Sequence, residues 1–80
     1  MRLDKYLKVS RLIKRRTIAN EACDAGRVVV NGKVARASYD VKVGDLIEIT
    51  FGTRMVKLKV KEVSEVVRKD DAGLLYEIIS

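Results

Sequence analysis

The sequence predicts an α+β fold: two short helices, a hairpin, then a small and mainly antiparallel sheet. Three observations predict it. Apolar residues in the first quarter recur at helical spacing, an Asn-Gly pair separates valine-rich runs, and residues beyond 45 alternate apolar with polar or charged. A chain of 80 residues has room for one core, so residues 1–80 are read as a single domain. Residues 1–50 are expected to carry its principal motif and residues 51–80 a β extension.

Leu3, Tyr6 and Leu7 share one face of a helix over residues 3–9, with Arg2, Lys5 and Lys8 in a stripe beside it. Asp4 falls in the first turn, where a carboxylate satisfies free amides and the positive end of the dipole; this role suits it better than catalysis. A second helix is expected from about residue 15 or 17 to residue 25. Ile18, Ala19, Ala22 and Cys23 mark its apolar stripe, and Gly26 is placed to end it. Cys23 on that stripe reads as a small buried hydrophobe, not a nucleophile.

Val28-Val29-Val30, Asn31-Gly32 and Lys33-Val34-Ala35 predict a tight hairpin, because Asn-Gly accepts positive φ at both central positions of a type I′ turn. Val43-Gly44-Asp45 is a turn into a strand at residues 46–51, where Ile47, Ile49 and Phe51 alternate with Glu48 and Thr50. Gly52, Thr53 and Arg54 form the next turn. Residues 55–63 place Val56, Leu58 and Val60 on one face and Lys57, Lys59 and Lys61 on the other, the mark of a sheet with one wet side. Residues 64–73 read as a charged loop and residues 74–79 as a last strand.

Composition excludes several classes of function. With no histidine and one cysteine there is no internal disulfide, no usual zinc ligand set, and no histidine-based triad or Cys-His pair. The longest apolar run is too short to span a bilayer, and the amino end lacks the apolar stretch of a signal peptide. A free thiol suits a reducing compartment, so the expected location is the cytoplasm. A binding protein without cofactor, not an enzyme, is the reading that remains.

The net charge of +6 is segregated. Arg2, Lys5, Lys8, Arg11, Lys14, Arg15 and Arg16 face only Asp4 within residues 1–20, whereas residues 21–80 balance ten basic groups with ten acidic ones. A chain made basic for solubility does not need such segregation; a polyanion site does. The bland alternative is a solvated helix face, but of these cations Lys8 alone has an acidic residue four positions away, Asp4. Lys14-Arg15-Arg16 at the start of the second helix opposes that helix's dipole, a sign that makes sense when a phosphate completes the site. Guanidinium forks are suited to bidentate phosphate contact.

RNA is preferred to DNA as the polyanion. No helix is long enough to serve as a major-groove reader, and aromatic residues, at 5%, are scattered. Recognition of a folded RNA by shape and backbone fits this composition. Lys57, Lys59 and Lys61 either extend the surface or keep an edge strand soluble.

Four ordered blocks carry a resemblance: Arg2-Leu3-Asp4-Lys5-Tyr6-Leu7, then residues 10–19 (Ser-Arg-Leu-Ile-Lys-Arg-Arg-Thr-Ile-Ala), then residues 25–32 (Ala-Gly-Arg-Val-Val-Val-Asn-Gly), then Val41-Lys42-Val43-Gly44-Asp45. They resemble the S-four RNA-binding domain, named after the small-subunit ribosomal protein. Position 15 departs from the family, which often has Thr or Ser there as a helix cap. The resemblance implies that the two helices and the adjoining hairpin form an L-shaped RNA-gripping motif. A free-standing chain of this kind is similar to the RqcP type of ribosome-associated quality control protein and related to the fifteen-kilodalton heat-shock type. That similarity implies a protein that binds the large ribosomal subunit, contacts 23S ribosomal RNA and peptidyl-tRNA, and assists a ribosome-bound factor that adds C-terminal alanine tails; a monomer is expected. Two other readings are weighed. One is the RNA-targeting domain of an rRNA-modifying enzyme such as a pseudouridine synthase. The other is a membrane-surface helix over residues 2–16, disfavoured by its small apolar face.

Overall fold

The computed structural model describes residues 1–65 and 68–79. The part of the expected 64–73 loop at residues 66 and 67, and residue 80 of the expected domain, lie outside them. The first helix, α1 (Leu3–Val9), buries Leu3, Asp4, Tyr6 and Leu7, as helical spacing requires. It has no side-chain cap. Its first amides are instead taken by a strap of chain: Leu3 N donates to the Tyr39 carbonyl at 2.8 Å and Asp4 N to that of Ala37 at 3.2 Å. Val41 N returns a bond to the Met1 carbonyl at 2.8 Å, so the strap at residues 37–41 clasps the start of the chain.

The second helix, α2 (Arg16–Asp24), follows an extended Arg15 and packs on α1. Ala19, Ala22 and Cys23 are buried, and their small side chains permit close approach of the helices. Ile18 was expected on the same stripe but is 49% exposed. At about 100° per residue it lies roughly 40° beyond Ala22, outside the arc that Ala22, Ala19 and Cys23 define.

Among the described residues five strands form one antiparallel sheet: β1 (Val28–Val30), β2 (Lys33–Val34), β3 (Leu46–Phe51), β4 (Arg54–Val60) and β5 (Tyr76–Ile78), in the order β2-β1-β3-β4-β5. Asn31 and Gly32 both take positive φ, 52° and 84°, as the expected β1–β2 turn demands. Val28, Val30, Ile47, Ile49, Leu58 and Val60 are all buried on one face of the sheet and join the core of α1 and α2.

Several sequence expectations are corrected. Arg54, expected in a turn, pairs with Phe51 as the first residue of β4, and Phe51 at that hairpin end is 41% exposed. The strand expected over residues 55–63 stops at Val60. Beyond it, Lys61 N and Glu62 N both donate to the Leu75 carbonyl, which bends the chain out of the ladder. The charged segment ends in a 3-10 helix, Lys69–Leu74, so the last strand begins at Tyr76 and not at residue 74. β4 is interior, so Lys57 and Lys59 do not guard a sheet edge; they stand on the outer face, where Lys57 Nζ lies 3.6 Å from Glu48 Oε1. Lys61 Nζ lies 3.2 Å from Glu77 Oε2. These ion pairs, the first of them cross-strand, offset two of the three lysines on this surface.

Candidate nucleic-acid interface

Arg2 precedes α1 and Arg16 opens α2, and helix packing brings both to one carboxylate. Arg2 Nε donates to Asp4 Oδ1 at 3.1 Å and Arg2 Nη2 to Oδ2 at 3.3 Å. Arg16 Nε lies 3.4 Å from Asp4 Oδ2, and Asn20 Nδ2 donates to that oxygen at 3.2 Å. The Lys5 amide donates to Oδ1 at 2.8 Å, so the expected first-turn role of Asp4 is real but is one of several. Burial pushes the Asp4 carboxyl up, yet the hydrogen bonds from Arg2, Asn20, Arg16 and the Lys5 amide outweigh it and hold the group below its ordinary 3.8.

The buried anion therefore organises two cations without cancelling them. The Arg2 and Arg16 side chains are 50% and 49% exposed, while that of Asp4 is 3% exposed. Each guanidinium has five N–H donors in a planar fork and spends one edge on Asp4. The remaining donors have no protein acceptor among the described residues. Beside Arg16 opens a shallow groove of about 370 Å³ lined by Asp4, Arg16, Thr17, Asn20 and Glu21. The Arg16 fork at the rim of this groove, and the Arg2 fork held by the same carboxylate, can take phosphate oxygens with little ordering cost.

The other five cations are not drawn to this point. Lys5 Nζ lies 3.3 Å from Glu65 Oε1, so a carboxylate from the far half of the chain partly offsets it. Lys8, Arg11, Lys14 and Arg15 are exposed and have no ion-pair partner among the described residues. Arg11 sits in a left-handed backbone conformation, φ 61°, in the turn that ends α1. That turn is pinned by Ser10 Oγ to the Leu7 carbonyl at 3.2 Å and by Ile13 N to the same carbonyl at 3.1 Å, with Ile13 buried. The scarcity of acidic residues near these cations was legible in the sequence; the partners supplied by tertiary contact, Asp4 for Arg16 and Glu65 for Lys5, were not. Asn20 and Thr17 were also missed, for neither belongs to a charge or apolar pattern. Cys23 is buried, and burial pushes its thiol up to about 11, as befits a core residue.

A family model for the S4 domain matches residues 1–47, which include both helices, the β1–β2 hairpin and the strap. The chain belongs to the S4 domain family. This S4 chain is 56% identical over 80 residues to the "RQC P-site tRNA stabilizing factor" of Streptococcus pneumoniae, covering all of this chain and 91% of that relative. It is 51% identical over 79 residues to the protein of the same name from Bacillus subtilis, covering 99% of this chain and 92% of the relative. Among solved structures, heat shock protein 15 of Vibrio cholerae, described as a trimer, superposes with a TM-score of 0.92 at 30% identity, covering all of this chain and 82% of that one. The α+β arrangement of the S4 chain is thus shared along its whole length with a protein of the heat-shock type.

Proposed function

We propose that this S4 chain is a non-catalytic RNA-binding factor that acts on the large ribosomal subunit during ribosome-associated quality control. In this reading it contacts 23S ribosomal RNA and P-site peptidyl-tRNA in the cytoplasm and assists a bound factor that adds C-terminal alanine tails. Residues 1–50 carry the RNA face and residues 51–80 buttress it. The carrying observation is the Arg2–Asp4–Arg16 arrangement: two half-exposed guanidinium groups, one just before α1 and one opening α2, fixed by one buried carboxylate. Exposed Lys8, Arg11, Lys14 and Arg15 widen the basic surface, with Lys5 in a supporting place. The names of the streptococcal and bacillar relatives support the ribosomal setting.

Arg16→Ala tests it. Binding to purified large subunits, measured across a salt series, is expected to weaken by about tenfold, and the slope of log K against log salt to become shallower by about 0.7–0.9, the value for one phosphate contact. The variant's thermal midpoint serves as the folding control. A folded variant with unchanged affinity and slope removes the assignment.

A further inference from the structure

The strap also borders a second groove, of about 620 Å³, lined by Asn31, Lys33, Val34, Arg36, Ser38 and Tyr39. Its volume lies within the range of about 300–1,000 Å³ usual for small-ligand sites. Its chemistry is mixed in a particular way. Lys33 and Arg36 are exposed cations with no ion-pair partner among the described residues. Val34, 64% exposed, and the ring of Tyr39 supply apolar surface.

The groove is also rigid. The Tyr39 hydroxyl donates to Asp45 Oδ2 at 2.9 Å and Asn31 Nδ2 to Asp45 Oδ1 at 3.0 Å. The Asn31 Oδ1 in turn accepts the Leu46 amide at 3.0 Å. Asp45 is 8% exposed, and the Lys42 amide completes its set at 2.9 Å, so its charge is spent on internal donors. Asp40, the next acid along the strap, is held by the amino-terminal ammonium at 2.7 Å. The free charge facing the groove is therefore positive, beside an aromatic ring that cannot swing away.

We infer that this groove binds one unpaired nucleotide of the RNA held by Arg2 and Arg16, with the flanking phosphates on Lys33 and Arg36 and the base against Tyr39 and Val34. The inference rests on the RNA-binding reading above. A concave site with one aromatic wall suits a splayed base, whereas a paired helix cannot enter it. Continuity supports the route: the strap that forms one wall of the groove, through its Ala37 and Tyr39 carbonyls, also holds the amides of Asp4 and Leu3. RNA crossing the strap passes from one cationic site to the other.

Two probes test this with the whole chain: a blunt RNA hairpin, and the same hairpin carrying a short 3′ tail of unpaired uridines. For the unaltered protein the tail is expected to tighten binding by about tenfold and to steepen the salt slope by about 1.4, for two single-strand phosphates. The double variant Lys33→Ala, Arg36→Ala, both at exposed positions, is expected to lose that gain and to bind the blunt hairpin within about twofold of the original. Arg16→Ala is expected to weaken both probes and keep their ratio. No gain from the tail, or an equal loss on both probes in the double variant, overturns the groove. Binding of the tailed probe alone, insensitive to Arg16→Ala, leaves the groove standing and removes the Arg2–Arg16 reading instead. A photoreactive side chain placed at Val34 is expected to attach to RNA on large subunits; attachment to a ribosomal protein in its stead makes the occupant a peptide and overturns the proposal.

Discussion

Arg16 reaches Asp4 across the α1–α2 interface, Nε to Oδ2 at 3.4 Å, and shares that carboxylate with Arg2. Asp4 lies at the centre of the proposed RNA face, yet its sign is wrong for an RNA contact. Its value lies in orienting two forks. Asp4→Asn therefore separates orientation from charge: the variant is more basic by one unit, and a surface that worked by net charge alone would bind RNA more tightly. We expect the reverse, weaker binding to large subunits, with a stability loss of about 1–3 kcal/mol from the broken charge-assisted bonds. Denaturant unfolding and subunit binding at one salt concentration decide between the two.

Arg11 occupies a backbone conformation that glycine adopts freely and other residues adopt at a cost of about 1–2 kcal/mol. Arg11→Gly relieves that cost, while the added freedom of the unfolded chain takes back about 0.4–1 kcal/mol. The expected outcome is a protein more stable by about 0.5–1 kcal/mol that binds RNA less well. Arg11→Ala keeps the strain and loses the contact, so it gains no stability. A thermal melt of the two variants side by side checks the pair.

Asp4 and Asp45 both have folded pKa values below the ordinary 3.8, because hydrogen bonds from Arg2, Asn20 and Arg16 in one case, and from the Lys42 amide, Asn31 and Tyr39 in the other, outweigh the opposing effect of burial. A depressed folded pKa adds stability that is complete above the unfolded value near 3.8 and drains away as the pH falls through the lower folded value. Stability is thus expected to be flat for these groups above about pH 5 and to fall below pH 4. Asp45→Asn is expected to melt lower than the original at pH 7, with the gap closing on acidification. A gap that holds constant down to pH 2 contradicts this assignment.

The Tyr6 hydroxyl donates to the Leu75 carbonyl at 2.7 Å, joining α1 to the segment before β5. The same carbonyl also accepts Lys61 N at 2.8 Å and Glu62 N at 3.2 Å, so Tyr6→Phe does not leave it unsatisfied. The loss is expected near the low end for a buried hydrogen bond, about 0.5–1 kcal/mol. Amide exchange is expected to quicken around residues 75–78 and to stay unchanged in β1 and β3.

Patterns carried by neighbours in the chain are legible in the sequence. The bounds of α1, the Asn31-Gly32 turn and the alternation through β3 and most of β4 each follow from spacing that one segment contains by itself. The limits of that reasoning appear where partners come from afar. Ile18 looks core-like on a helical wheel, but the partner's reach ends at Ala22; β4 ends at Val60 because a carbonyl from residue 75 takes the next amides.

The candidate site divides along the same line. The surplus of cations in residues 1–20, and the class of ligand that surplus suits, are properties of composition and order, which exist in the unfolded chain. Which two cations share an anchor, which one turns to Glu65, and how the strap places Tyr39 beside Lys33 and Arg36 were decided by folding alone. Charges several residues or a whole helix apart acquire a fixed geometry only when packing brings their backbones together, and a carboxylate becomes an organiser of arginines only once burial denies it water.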